Sequence, residues 1–73
     1  MDSRQLSEEA YKVQQAMQLF GGSFMKQIGS AMCHADSRNL RKIHDTWPNE
    51  WNRYLEMYDA YNKRLQEADD EER

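Results

Sequence analysis

Apolar residues in the first half of the chain recur at steps of three and four positions. This spacing is typical of one face of an amphipathic helix, and the glycine pair Gly21-Gly22 does not change its phase. The pattern favours a continuous or gently kinked helix over about residues 5–35. The alternative is a break at the glycines that folds the helix back. The apolar positions are Leu6, Ala10, Val13, Met17, Phe20, Phe24, Ile28, Met32 and Ala35.

Two interior glycines cost a helix roughly 2 kcal/mol relative to alanine, which suggests a bend or a close approach at this point. An unbroken helix would be about 45 Å long, whereas a compact chain of this length has a radius of gyration near 11 Å. A straight helix would therefore need a second copy to cover its apolar stripe, with Gly22 and Gly29 admitting another backbone. If the helix breaks instead, Ser23 is the natural N-cap of the next helix.

The second half of the chain carries clearer start signals. Asp2, Ser3 and Ser7 are N-cap candidates for the first helix, and Asp36 caps a short helix from Ser37 to about Thr46. Pro48 suits the first position of a third helix. The apolar and aromatic stripe of that helix comprises Trp51, Tyr54, Leu55, Tyr58, Tyr61 and Leu65.

These segments predict an all-α fold, a small helical hairpin or bundle of three to four helices. The acidic run Asp69-Asp70-Glu71-Glu72 has the wrong sign for a helix C-terminus, so we expect fraying beyond Leu65. The predicted organisation is one helical domain over residues 1–66 and a mobile acidic tail over residues 67–73.

Composition narrows the class of protein only slightly. The chain has 73 residues, ten basic and thirteen acidic, for a net charge of −3. Residues 1–47 carry six basic and five acidic side chains, and residues 48–73 carry four and eight. A lone cysteine, Cys33, no apolar leader and no apolar run of about 20 residues predict a soluble protein inside a cell.

No residue set completes a recognisable chemical site. Cys33, His34 and His44 lack the further ligands of a tetrahedral metal shell. A nucleophile, a base and an orienting group could be assigned by residue type to Cys33, His44 and Asp36, but no local sequence signature supports this assignment. The chain is also too short to enclose a pocket of the usual size. We therefore expect no enzyme activity, no metal and no cofactor.

The predicted short helix carries a basic cluster formed by Arg38, Arg41 and Lys42. Residues 26–46 match a helix-turn-helix whose second helix turns these side chains and Asn39 toward DNA. Two observations argue against nucleic-acid binding: the rest of the chain is acidic, and no basic arm extends the cluster. The same three residues would also suit an acidic protein surface.

Five of the eight aromatic residues lie within a stretch of fifteen. Tyr, Trp, Met and Arg are enriched at protein interfaces, and a chain this small has more apolar surface than it can hide. Part of the set, joined by Met25 and Met57, is expected to meet a partner. The candidate partner-binding residues are Trp47, Trp51, Tyr54, Tyr58, Arg38, Arg41 and Lys42.

The segment from Leu19 to Tyr58 resembles a group of very short phage and prophage proteins. The shared elements are Phe-Gly-Gly-Ser-Phe with Ala31, then His34-Ala35-Asp36-Ser37 with Asn39 and Ile43, then Trp47-Pro48 with Trp51 and Tyr54. Trp47 departs from the phenylalanine expected there. The group has no established activity, so no residue role carries over. The resemblance implies a mobile-element protein made in the cytoplasm of a bacterium.

Three functional hypotheses follow. The first is a non-enzymatic protein that binds and inhibits a host defence protein such as a CRISPR-type nuclease, as the resemblance implies for tiny acidic helical proteins. The second is a small helix-turn-helix-like regulator that binds nucleic acid. The third is a virion or assembly component, for which a homodimer or larger homo-oligomer is expected. No membrane association is expected for any of them.

Overall fold

The protein is a small all-α fold of four helices, which confirms the fold class predicted from the sequence. The structure, a computed structural model, describes the backbone of residues 2–71 and the side chains of residues 2–67. Three short connections join the helices. The helices are α1 (Ser3–Phe20), α2 (Ser23–Cys33), α3 (Ser37–Thr46) and α4 (Pro48–Glu71).

Side-chain caps define two of the helix starts. The Asp2 carboxylate accepts a hydrogen bond from the Gln5 backbone N–H at 2.8 Å, and the Asp36 carboxylate accepts one from the Asn39 N–H at 2.9 Å. Both satisfy N–H groups that the first turn of a helix leaves without a partner. Pro48 begins α4, in the position where its missing N–H costs nothing.

The expectation of a continuous helix through the glycine pair is wrong. Gly21 and Gly22 are both extended, with ψ angles of 156° and −175°, so α1 ends at Phe20 and α2 begins at Ser23. Gly22, rather than Ser23, is the N-cap of α2 and makes no side-chain cap. Neither glycine has a positive φ. The break therefore depends on space around the backbone and not on the left-handed conformations that glycine permits.

Polar side chains fix α2 antiparallel to α1. The Gln18 amide donates to the Lys26 carbonyl at 2.8 Å and to the Ser30 hydroxyl at 3.2 Å. Nearer the start of α1, the Gln14 side-chain oxygen accepts from the Cys33 thiol at 3.1 Å. Later residues of α2 thus meet earlier residues of α1, which is the pairing of a helical hairpin.

Gly29 lets the two helices approach closely. It is buried, and a Cβ at this position would lie 3.2 Å from Met17 Cβ and 3.3 Å from the Gln14 carbonyl oxygen. The sequence had suggested that Gly22 and Gly29 admit a backbone from another copy. Gly29 admits α1 of its own chain, whereas a Cβ at Gly22 would meet nothing within 4 Å.

The core is built around α1, which packs against each of the other helices. The predicted face of α1 is buried from Leu6 to Met17, but it does not extend across the glycines: Phe20 and Phe24 are 45% and 61% exposed. The buried apolar residues are Leu6, Ala10, Val13, Ala16, Met17, Met32, Leu40, Trp51 and Tyr54.

The molecule is more elongated than a compact sphere of the same mass. Its radius of gyration is 13.2 Å against roughly 11 Å for a compact chain of this length. Helix α4 accounts for much of this, since its 24 residues run to Glu71. The predicted mobility of residues 67–73 stays a prediction, and residues 72–73 lie outside the described part of the chain.

Removing the cap of α3 gives a measurable test of this local structure. We expect Asp36→Ala to lower the free energy of unfolding by about 1 kcal/mol, because the Asn39 N–H loses its acceptor. Urea unfolding followed by circular dichroism measures the change. Asp36→Asn is the matched control, since the amide oxygen can still accept that bond. Equal losses in both variants would show that the cap contributes through charge alone.

Candidate functional site

Two of the aromatic residues proposed to bind a partner belong to the core instead. Trp51 is 1% exposed and Tyr54 is 2% exposed. The indole N–H of Trp51 donates to the Glu9 carboxylate at 2.9 Å, which joins α4 to α1. The assignment of Trp51 and Tyr54 to a binding surface is therefore corrected, because a partner cannot reach them while this fold is intact.

The other two aromatic candidates are partly accessible. Tyr58 is half-buried against the core. Trp47 lies between α3 and α4, where its ring meets the Phe24 ring edge-on at a centroid distance of 6.3 Å. Trp47 and Tyr58 can thus offer only part of their surface to another molecule.

The basic cluster is on the surface, as its pattern predicts. Arg38, Arg41 and Lys42 are all exposed on α3, whereas Leu40 of the same helix is buried. Helix α3 packs mainly against α1 and α4. The helix pair α2 and α3 is therefore not the tightly packed unit that a helix-turn-helix uses to present its second helix.

An apolar hollow lies where the end of α1 meets the middle of α4. Its volume is about 200 Å³, and the Phe20 ring meets the Tyr61 ring edge-on at 5.7 Å on one side of it. We call this surface the Phe20 hollow, and its lining residues are Phe20, Met57, Ala60, Tyr61 and Arg64.

Helix α4 extends the Phe20 hollow into an open surface. Every residue from 62 to 67 is exposed, and Leu65, one turn after Tyr61, is 52% exposed. The second half of α4 therefore has an apolar side chain and no helix covering it within the described residues. Sequence reasoning placed Phe20 and Leu65 on the apolar stripes of two helices but selected neither as a partner-binding residue, and so missed this surface. The glycine pair next to Phe20 was the sequence signal for this surface, since a helix break there prevents α2 from continuing along the axis of α1.

A second hollow of about 290 Å³ lies between α1, α2 and α3. Tyr11 at its rim is 59% exposed, and the exposed thiol of Cys33 also lines it. The thiol donates to Gln14. The Phe20 hollow is smaller than the roughly 300 to 1,000 Å³ typical of small-molecule sites, and the second hollow is at the lower end of that range.

The residues considered for nucleophilic chemistry make separate contacts. Cys33 bonds to Gln14, the Asp36 carboxylate accepts from the Asn39 N–H, and His44 Nδ1 lies 3.0 Å from the Asp45 carboxylate. The His44 ring also packs edge-on against Trp51 at 5.1 Å. These contacts serve capping and packing.

Within the described residues, no three side chains of the His, Cys, Asp and Glu types come together as metal ligands. No helix in this part of the chain has the length and apolar character needed to cross a membrane.

Comparison of the chain with protein-family models, curated proteins and solved structures finds no match.

Proposed function

We propose that this protein acts without catalysis, by binding a surface on another protein. The observation that carries the proposal is the exposure of large apolar side chains on a chain with a small core. Phe20, Phe24 and Leu65 are each about half exposed or more, as are Leu19 and Tyr11. Water contact with such groups is unfavourable, and clustered apolar surface marks protein-binding sites.

The proposed partner is a protein of a bacterial host, and the proposed effect is inhibition of a defence enzyme such as a CRISPR-type nuclease in the host cytoplasm. Support for this finer proposal comes from the resemblance to short phage and prophage proteins and from the small acidic chain. A binder of this size inhibits by covering a surface that the enzyme needs, because it has little volume for anything else.

Affinity capture tests the proposal. Tagged protein is incubated with bacterial lysate treated with nuclease, washed at high salt, and the retained proteins are identified by mass spectrometry. We expect one host enzyme to be retained, because apolar contacts tolerate salt. Adding the protein to that purified enzyme should then lower its activity in proportion to occupancy.

Three outcomes would contradict the proposal in whole or in part. Retention of nucleic acid that disappears with salt would support the alternative, a small nucleic-acid-binding regulator, for which the exposed Arg38, Arg41 and Lys42 are the favouring observation. Retention of nothing except the protein itself, with a solution size that grows with concentration, would support the assembly component. A host enzyme that is retained but keeps full activity would refute the inhibition and leave the binding.

A further inference from the structure

We propose that the Phe20 hollow and the free half of α4 receive an amphipathic helix of the partner protein, one that carries an apolar anchor residue next to a carboxylate. This inference rests on the proposed function and names the surface and the chemistry of the partner. Three features support it, namely the shape of the hollow, its area and the charge at its edge.

The shape suits one inserted side chain. The hollow is bounded by the Phe20 ring on α1 and by Met57, Ala60 and Tyr61 on α4. Ala60 leaves space between two larger apolar neighbours, so a Leu or Phe side chain from outside can fill the position. Helix recognition commonly uses such anchors at intervals of one turn in an apolar groove.

The area favours a short segment over a second copy of this chain. Phe20 is 45% exposed and Leu65 is 52% exposed, while Met57 and Tyr61 are half-buried. Given the usual size of such side chains, the apolar surface offered is on the order of 300 Å². A stable interface between folded proteins buries about 800 Å² on each partner. One helix lying along the free half of α4 matches the smaller area.

The charge at the edge of the hollow selects a carboxylate beside the anchor residue of the partner helix. Arg64 is the charged residue of the lining, and among side chains 2–67 it makes no ion pair or hydrogen bond. Arg64 lines the apolar hollow and is exposed, so its guanidinium can donate two N–H bonds to a carboxylate at the edge of the hollow. The exposed acidic residues of α4 nearest to the hollow are Glu56, Asp59 and Glu67, and the Asp59 carboxylate lies 4.0 Å from the Lys12 amine. The carboxylate of the partner is therefore placed at Arg64 and not along the whole of α4.

A displayed library of random peptides of about 16 residues is the probe, selected against the folded full-length protein. We expect enriched peptides to place Leu, Phe or Trp within one turn of Asp or Glu. The Phe20→Ala change should weaken a selected peptide about tenfold, because hot-spot anchors carry most of the binding energy. The Arg64→Glu change should weaken it about fivefold or more and should allow Lys-containing peptides to bind.

Matched variants separate this surface from the others. Phe24→Ala removes an exposed aromatic outside the hollow, and Arg38→Glu reverses an exposed charge on α3, so both should leave peptide binding within about twofold. Circular dichroism confirms that each variant is folded. The proposal is refuted if the selected peptides ignore Phe20→Ala and Arg64→Glu, if they are basic, or if no peptide is enriched.

Affinity capture with the Phe20→Ala/Arg64→Glu double variant separates failure of this proposal from failure of the proposed function. If the double variant still retains the host protein that the wild type retains, the protein-binding function stands and this surface is wrong. If the wild type retains none, both proposals fail. Self-association that the double variant abolishes would assign the hollow to a second copy and overturn the proposed partner helix.

Discussion

Replacement of Trp51 by alanine is expected to leave the chain largely unfolded at 25 °C. Removing a fully buried indole costs about 3 to 5 kcal/mol through lost apolar contact and the cavity left behind. A domain of this length has only about 3 to 5 kcal/mol of stability from its core. The change also takes the hydrogen-bond donor from Glu9, whose carboxylate then lies beside the cavity. Circular dichroism and urea unfolding of the variant measure the loss.

Two substitutions serve as controls for Trp51→Ala. Trp51→Phe keeps most of the apolar volume and removes only the N–H, so it should cost about 1 to 2 kcal/mol and leave a cooperative transition. Trp47→Ala removes the same side chain from a half-buried position and should cost less than Trp51→Ala. A Trp51→Ala protein that unfolds cooperatively near the wild-type urea midpoint would contradict the central role of this residue.

The second large effect is expected for Gly21→Ala, which should lower the free energy of unfolding by about 1 to 3 kcal/mol, the range for overpacked positions. The dihedral angles of Gly21 suit any residue, but its Cβ would lie 2.6 Å from the Met17 carbonyl oxygen and 2.8 Å from Met25 Cβ. The carbonyl belongs to the backbone of α1 and also accepts the Gly21 N–H, so it cannot move without disturbing the end of the helix.

Gly22→Ala is the control for Gly21→Ala, since the next residue is also extended and a Cβ there has open space. Alanine is a weaker N-cap than glycine, which destabilises the fold, but it also makes the unfolded chain less flexible, which stabilises the fold. These two effects nearly cancel, so the free energy of unfolding should change by less than about 0.5 kcal/mol. Urea unfolding of both variants decides between steric and conformational roles. Equal effects at the two positions would show that close contact at Gly21 does not maintain the break.

Most of the secondary structure was readable from the sequence because its signals are local. Asp36 lies three residues before the N–H it caps, and Pro48 sits where the first turn needs no donor, so both helix starts follow from neighbours in the chain. The amphipathic spacing of α1 likewise predicts its buried face. The exposed basic cluster on α3 followed from the same periodicity.

The candidate site was less predictable, because burial depends on which helices meet. Trp51 and Tyr58 lie on the same predicted stripe of α4, yet only Trp51 is fully enclosed. Phe20 and Leu65 have the spacing of core residues, yet both are exposed. Phe20 is exposed because α2 turns away at the glycines, and Leu65 is exposed because α4 extends beyond the helices that pack against it. Hydrophobic periodicity shows that residues share one face of a helix, but it does not show whether another helix covers that face.

The sequence by itself determined an all-α chain, the starts of α3 and α4, and the apolar face around which the molecule packs. Caps, proline and helical spacing act within a turn or two, so no distant residue was needed to predict them. Only the tertiary structure decided the break at Gly21, the enclosure of Trp51 and the opening of the Phe20 hollow. Each of these depends on steric contact between groups whose separation is set by the packing of whole helices.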